Sequence, residues 1–222
     1  EKLESCRTIT PEVACYGDFR GAERLREAIA ATLRRTFAAP MKVDAGSVVV
    51  SAGAGAVLNN LFMAIADPGD AVLIPAPYYP AFDNDLVVLA GVVPTPLKTG
   101  THPRYEITSE ALEACWAGSV AQGHPPRALL LSSPHNPLGR CLTAAELRVS
   151  LRFCEAKAMH LVVDEIYALS VYRDASSPPF VSIMQLLAEE GRALGDWVHV
   201  VWGFSKPVYN CSNIPLGESF LW

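Results

Sequence analysis

The sequence predicts an α/β fold, a mainly parallel sheet with helices on both faces. Short apolar runs of strand length alternate with stretches whose apolar residues recur at helical spacing. The runs are continuous rather than alternating, as expected of strands covered on both faces. Polar residues cluster just after several runs, and in such sheets ligands bind beyond the carboxyl ends of the strands.

The elements follow in order. Leu25, Ala28, Ile29, Leu33 and Phe37 recur at helical spacing among Arg and Glu, which predicts a helix. Val48-Val49-Val50 is a buried-strand run. Ala54 to Ala66 reads as a helix with Val57, Leu58, Leu61, Phe62 and Ile65 on one face, stopped by the turn Asp67-Pro68-Gly69-Asp70. Ala71–Ile74 is a strand ended by Pro75 and Pro77. Tyr79 to Leu89 reads as a helix, Gly91 breaks it, and Val92-Val93 starts a strand. Glu110 to Trp116 is a short helix between a loop at His102-Pro103 and another over Gly118–Pro126. Ala128–Leu131 is a strand. Thr143-x-x-Glu146 is a capping box that opens a helix through about Lys157. Leu161–Val163 is a strand ending on Asp164, Phe180 to Glu190 a helix, and Val198–Val201 a further strand.

The bulk composition narrows the function. A length of 222 residues suits one large domain or a domain and a half, and 50% hydrophobic residues supply a sizeable core. The net charge of −5 argues against nucleic acid or an anionic membrane as the main partner. No apolar stretch approaches the roughly 18 residues that span a bilayer, and the run Leu86–Val93 is strand-sized. Six cysteines are scattered without a Cys-x-x-Cys pair, so neither a metal site nor a disulfide framework is expected. They read as reduced thiols of a cytoplasmic protein. Glu1-Lys2-Leu3 shows no methionine and no signal-peptide pattern, and a fragment lacking its N-terminus is expected.

The candidate site residues fall after the strands. Ser51-Ala52-Gly53-Ala54-Gly55 joins a strand to a helix, where backbone N–H groups can meet a phosphate, although such turns more often serve packing. Tyr79 is placed to stack on a flat ligand or to stand half-buried. Asn136, between Pro134 and Pro137, is a turn residue or a donor to a ring oxygen, and His135 beside it reads as a solvated loop histidine. Asp164 caps the following segment or pairs with a cation, since a buried carboxylate without a partner costs several kcal/mol. Tyr167 reaches the same face, while Glu165 points to a structural partner. Lys206, in Ser205-Lys206, is a surface lysine when taken alone. The ordered set of Asn, Asp, Tyr and Lys changes that reading. It is what a protein needs to hold pyridoxal 5′-phosphate, with an amine for a Schiff base, a carboxylate for the ring nitrogen and donors for ring oxygen and phosphate.

At these residues the sequence resembles the fold-type I pyridoxal-phosphate aminotransferases of classes I and II. Among them it is most similar to the 1-aminocyclopropane-1-carboxylate (ACC) synthases and ACC-synthase-like proteins. The matching segments are 66–70 (ADPGD), 74–80 (IPAPYYP), 133–139 (SPHNPLG), 160–167 (HLVVDEIY) and 198–201 (VHVV), and the resemblance runs from about Tyr16 to Lys206. It implies that Ala54 and Gly55 hold the phosphate, to which the Ser205 hydroxyl could also donate, and that Tyr79 stacks on the ring. Asn136 and Tyr167 would hold the ring oxygen, Asp164 would pair with the ring nitrogen, and Lys206 would form the Schiff base. It implies catalysis by Lys206, Asp164 and Tyr167 on a small amino acid, by transamination or an ACC-synthase-like elimination. It also implies a homodimer, with 16–21 (YGDFRG) as a segment lent to the neighbour's site.

The sequence departs from that pattern in places. Gly55, Phe19 and Gly203 stand where the resembled enzymes carry threonine, tyrosine and serine, each removing a hydrogen bond on the order of 1 kcal/mol. No arginine follows Lys206, and Pro207 pushes Lys206 toward an extended backbone. The domain reading is therefore an N-terminal contact segment at 1–21, a partial cofactor-binding large domain at 22–206 and a divergent tail at 207–222. The last elements of the large domain, the small domain and the substrate-carboxylate arginine are expected to be missing. The alternative function is an inactive fragment or pseudoenzyme that binds the cofactor weakly or dimerises with a full-length relative. A nucleotide-binding Rossmann fold ranks third, because 53–55 (GAG) lacks the later glycine and no acidic residue closes a second strand.

Overall fold

A strand buried on both faces must place apolar residues at every position, and successive residues then feed opposite sides of the sheet. That rule organises the computed structural model, which describes residues 15–37, 42–102, 104–172, 179–206 and 219–221. Of the expected segments, residues 1–14 of the N-terminal one and 207–218 and 222 of the tail lie outside the described residues.

The elements are α1 (Glu23–Thr36), β1 (Val49–Ser51), α2 (Ala54–Ile65), β2 (Ala71–Ala76), α3 (Ala81–Val87), β3 (Val93–Lys98), α4 (Ser109–Ala121), β4 (Pro126–Ser132), α5 (Ala144–Lys157), β5 (His160–Asp164), α6 (Ile183–Glu189), β6 (Val198–Gly203) and β7 (Ser219–Leu221). They form an α/β fold around a seven-stranded sheet of order β1-β7-β6-β5-β4-β2-β3. Strands β2 to β6 run parallel, and β7 runs antiparallel between β1 and β6.

Strands β2, β4, β5 and β6 each split their side chains between two cores. Leu73, Leu129, Leu131, Leu161, Val163 and Val200 join a cluster covered by Ile29 and Leu33 of α1, Leu112 of α4, Leu147 and Leu151 of α5, and Leu186 of α6. Their neighbours Val72, Ile74, Leu130, Val162 and Val201 join a second cluster under Leu58, Leu61 and Phe62 of α2 and Phe82 and Leu86 of α3. Burying one such side chain completely contributes about 2 kcal/mol.

The element ends have local causes. The Thr143 hydroxyl accepts the Glu146 N–H at 3.2 Å while the Glu146 carboxylate accepts the Thr143 N–H at 2.9 Å, so the capping box opens α5 where the sequence placed it. Helix α6 is shorter than its apolar pattern suggests, because the Ser182 hydroxyl accepts the Met184 N–H and starts the helix there. Helix α3 likewise begins only after Pro80, which has no N–H to give. Helix α4 runs on to Ala121, past the glycine read as a loop. Strand β3 starts at Val93, where the sequence placed a strand start, and runs to Lys98 as an edge strand, where Pro94 and Pro96 leave no ladder bond unmade.

Residues 219–221, in the segment read as a foreign tail, form β7 and pair with Val49–Ser51 on one side and Val201–Gly203 on the other. An element of the sheet therefore comes from the stretch in which the last elements were expected to be missing. Three residues are too short a run for periodicity to reveal.

At the amino-terminal edge, His160 Nδ1 of β5 and His199 Nε2 of β6 are 3.1 Å apart, and His160 stacks on Trp197. Burial pushes both rings below the ordinary histidine value. His199 falls from 6.5 to about 4, helped by His160 and opposed by Asp196, while Arg127 adds to the effect on His160. Unfolded His199 takes its proton near pH 6.5 and folded His199 only near 4, so its contribution is complete above 6.5 and is lost as the pH falls toward 4. His199→Asn is expected to reduce the loss of unfolding free energy between about pH 7 and pH 5 by about 2 kcal/mol. Urea denaturation at both pH values reads this difference, and equal losses in the two proteins would refute it.

Candidate active site

The parallel strands end on one edge, and the sequence places polar residues there. Strand β5 ends on Asp164, in register with Ser132 of β4 and Val201 of β6. The main chain is pinned on both sides, with Ser133 N–H donating to the Asp164 carbonyl at 2.9 Å and Glu165 N–H to the Val201 carbonyl at 2.8 Å. Strand alternation then sends the two carboxylates apart.

Glu165 is 1% exposed and accepts the Ser182 hydroxyl and the Ile183 N–H, both at 2.8 Å. It is the structural partner of the start of α6. Burial pushes its carboxyl up to about 8 against those two bonds. Asp164 is also buried, and its Oδ1 accepts the Ile166 N–H at 3.0 Å. Burial is the main cause that lifts it to about 7, with the Asp85 charge adding and the Ile166 bond and Lys206 opposing. The short helical turn Ala168–Ser170 has Tyr167 at its N-cap position without a side-chain cap bond, and the Asp164 carboxylate binds an N–H of the preceding turn instead.

Asp164 faces a cavity of about 300 Å³. Around it the structure gathers every residue the sequence singled out for cofactor binding. Asn136 comes from the loop after β4, Tyr167 from the turn after β5, and Ser205 and Lys206 from just beyond β6. The Lys206 amine stands 5.7 Å from the centre of the Tyr167 ring. Tyr79 forms the rim, 41% exposed and edge-on to Phe82. Ala54 and Gly55 bring in the first turn of α2.

That helix start has unpaired donors. Gly53 precedes it at φ +94, a conformation natural to glycine, and offers no side chain to cap it. The first N–H groups of α2 have no intrahelical partner and point their positive dipole end at the cavity.

Some placements differ from expectation. His135, read as solvated, is 6% exposed, because the loop folds back with His135 N–H donating to the Arg140 carbonyl and Gly139 N–H to the His135 carbonyl. Burial pushes its ring down to about 4. Tyr16 and Phe19, in the segment read as lent to a neighbour's site, are 99% and 93% exposed and, consistent with that reading, do not line this chain's own cavity. Asp85 of α3 does line it and was missed. The available signal was helical spacing, since 81, 82 and 85 share one face. Among the described residues no group of three or more His, Cys, Asp or Glu is placed to hold a metal ion. No described helix is long and apolar enough to cross a membrane.

Residues 2–209 match the family described as aminotransferase class I and II. The chain belongs to this family. It is 34% identical over 199 residues to 1-aminocyclopropane-1-carboxylate synthase 11 of Arabidopsis thaliana, covering 90% of this chain and 43% of that protein. It is 36% identical to 1-aminocyclopropane-1-carboxylate synthase 3 of Oryza sativa subsp. japonica, covering 92% of this chain and 47% of that protein. Its fold superposes on the aspartate aminotransferase of Thermotoga maritima with a TM-score of 0.79 at 25% identity, over 99% of this chain and 52% of the other. This class I and II aminotransferase chain thus spans about half the length of the relatives it matches.

Members of the family are pyridoxal-phosphate dependent, act on amino acids and are typically dimeric. The cavity suits that cofactor on two counts visible here. A buried carboxylate raised to about 7 calls for a cationic partner, which a protonated ring nitrogen supplies, and the uncapped start of α2 calls for an anion.

Glu165 provides a test of the frame beneath this site. Glu165→Ala leaves the Ser182 hydroxyl and Ile183 N–H without an acceptor and is expected to cost about 3 kcal/mol, against about 1 kcal/mol for Glu165→Gln, which keeps one. Urea unfolding of both variants measures this, and equal losses would contradict it.

Proposed function

We propose that this chain binds pyridoxal 5′-phosphate in the cavity at the carboxyl ends of β4, β5 and β6. There it would serve bond-making and bond-breaking at the α-carbon of a small amino acid, by transamination or by an ACC-synthase-like elimination. The observation that carries this reading is Asp164, a buried carboxylate held up to about 7 in a cavity that also contains a lysine amine. A protonated ring nitrogen relieves that burial, and the charged pair is stronger for being shielded from water.

The remaining roles follow from the groups present. The N–H groups at Ala54 and Gly55, with the Ser205 hydroxyl, would take the phosphate. Tyr79 would cover one face of the ring, an aromatic contact of about 1 kcal/mol beyond its burial. Asn136 and Tyr167 would donate to the ring oxygen. When bound, the cofactor supplies an electron-withdrawing ring that stabilises negative charge at the substrate's α-carbon. Lys206 would hold the cofactor through its amine and, as a free base, take the α-proton. The exposed Tyr16 and Phe19 fit a segment that reaches a second copy of the chain in a homodimer.

The test is an absorbance spectrum of the whole chain after addition of pyridoxal 5′-phosphate and dialysis. A visible band is expected to remain, to vanish in Lys206→Ala, and to need about tenfold more cofactor in Asp164→Ala. Added small amino acids are then expected to shift the band. A band that no amino acid shifts would make this a cofactor-binding protein without turnover. No band from the folded wild-type chain, or an equal band in Lys206→Ala, would overturn the reading.

A further inference from the structure

Asp85 stands apart from the other residues around the cavity. It is the one carboxylate there besides Asp164, it is partly buried, and it makes no hydrogen bond or ion pair with any described residue. Its place is set by a neighbour's missing side chain. A Cβ built on Gly55 would lie 2.9 Å from Asp85 Oδ1 and 3.3 Å from Cγ, so the carboxylate rests against this turn and a larger residue at 55 would have to push it aside. Gly55 is the second residue of α2, within the turn whose N–H groups are free to meet an anion. Two carboxylates and one lysine amine therefore border the cavity among its described residues, and the Asp85 carboxylate lies against the first turn of α2.

We propose that Asp85 is a specificity-determining residue, a fixed negative charge beside the amino end of α2 that weakens the hold on a phosphate dianion and leaves the hold on the rest of the ligand unchanged. The proposal rests on the cofactor reading above and adds a direction to it. The site favours a ligand whose anionic end carries less charge, and Gly55 and Asp85 act as a pair, one making room for the other. Like charges separated by several ångströms at a partly exposed site repel by an amount that changes affinity severalfold and fades with salt.

The experiment titrates the whole wild-type chain and Asp85→Asn with pyridoxal 5′-phosphate and, separately, with pyridoxal, following absorbance at low and high salt. Asp85→Asn is expected to bind the phosphate ester about five- to tenfold more tightly at low salt, with the gain shrinking at high salt. Pyridoxal affinity is expected to be unchanged. Equal or weaker binding of the phosphate ester by Asp85→Asn, while wild type binds it, would overturn this proposal alone. Binding of neither ligand by either folded protein would overturn the cofactor reading and this one with it. A measurement without ligand checks the pairing. Gly55→Ala is expected to change Tm less favourably in the wild-type background than in Asp85→Ala, where the carboxylate that the added methyl must displace is gone. Equal changes in both backgrounds would overturn the placement of Asp85 against Gly55.

Discussion

The structure depends on carrying the Asp164 carboxylate into the interior and keeping it there. Strand β5 lies between β4 and β6, and its residues Leu161, Val162 and Val163 are fully buried. A carboxylate at the end of such a strand is cut off from water, which disfavours its charge. Only rigid backbone on both sides prevents it from swinging out. That rigidity comes from the Ser133 and Glu165 N–H bonds to neighbouring strands and from the Ile166 N–H on its own Oδ1. The chain tolerates a group that opposes folding in order to present it at one place, a stability given up for a site.

Asp164 and Glu165 show how a period of two divides labour. They are adjacent, both buried and both raised, yet one faces the cavity and the other ties the start of α6 to the sheet. The same alternation separates the two cores, so α1, α4, α5 and α6 cover one face while α2 and α3 cover the other. The cavity lies on the α2 and α3 side because those helices bring their first turns to the strand ends.

Much of this was legible in the sequence, for identifiable reasons. The central strands are unbroken apolar runs, and the capping box at Thr143 carries its own geometry, so both could be placed. Asn136, Asp164 and Lys206 follow strands, so the topology that collects strand ends also collects them. Asp85 escaped because it sits on a helix beside Asp83 and reads as a surface charge; only the gap at Gly55 reveals where it points. The burial of His135 depends on a loop folding back on itself, which composition does not encode. The end of strand β3 could not be placed, because prolines argue against a strand unless its edge position is known.

The position of β7 has a consequence for how the chain assembles. Strand β1 meets the sheet only through β7, its one strand partner among the described residues, so residues 49–51 have no edge to join until residues 219–221 arrive. Some 170 residues separate the partners, making this a contact of very high sequence separation, the kind that forms late and slowly. On a ribosome the parallel centre, β2 to β6, is synthesised in full while β1 waits. Helix α2, which starts three residues after β1, would then lock into its final place only when that late closure is made.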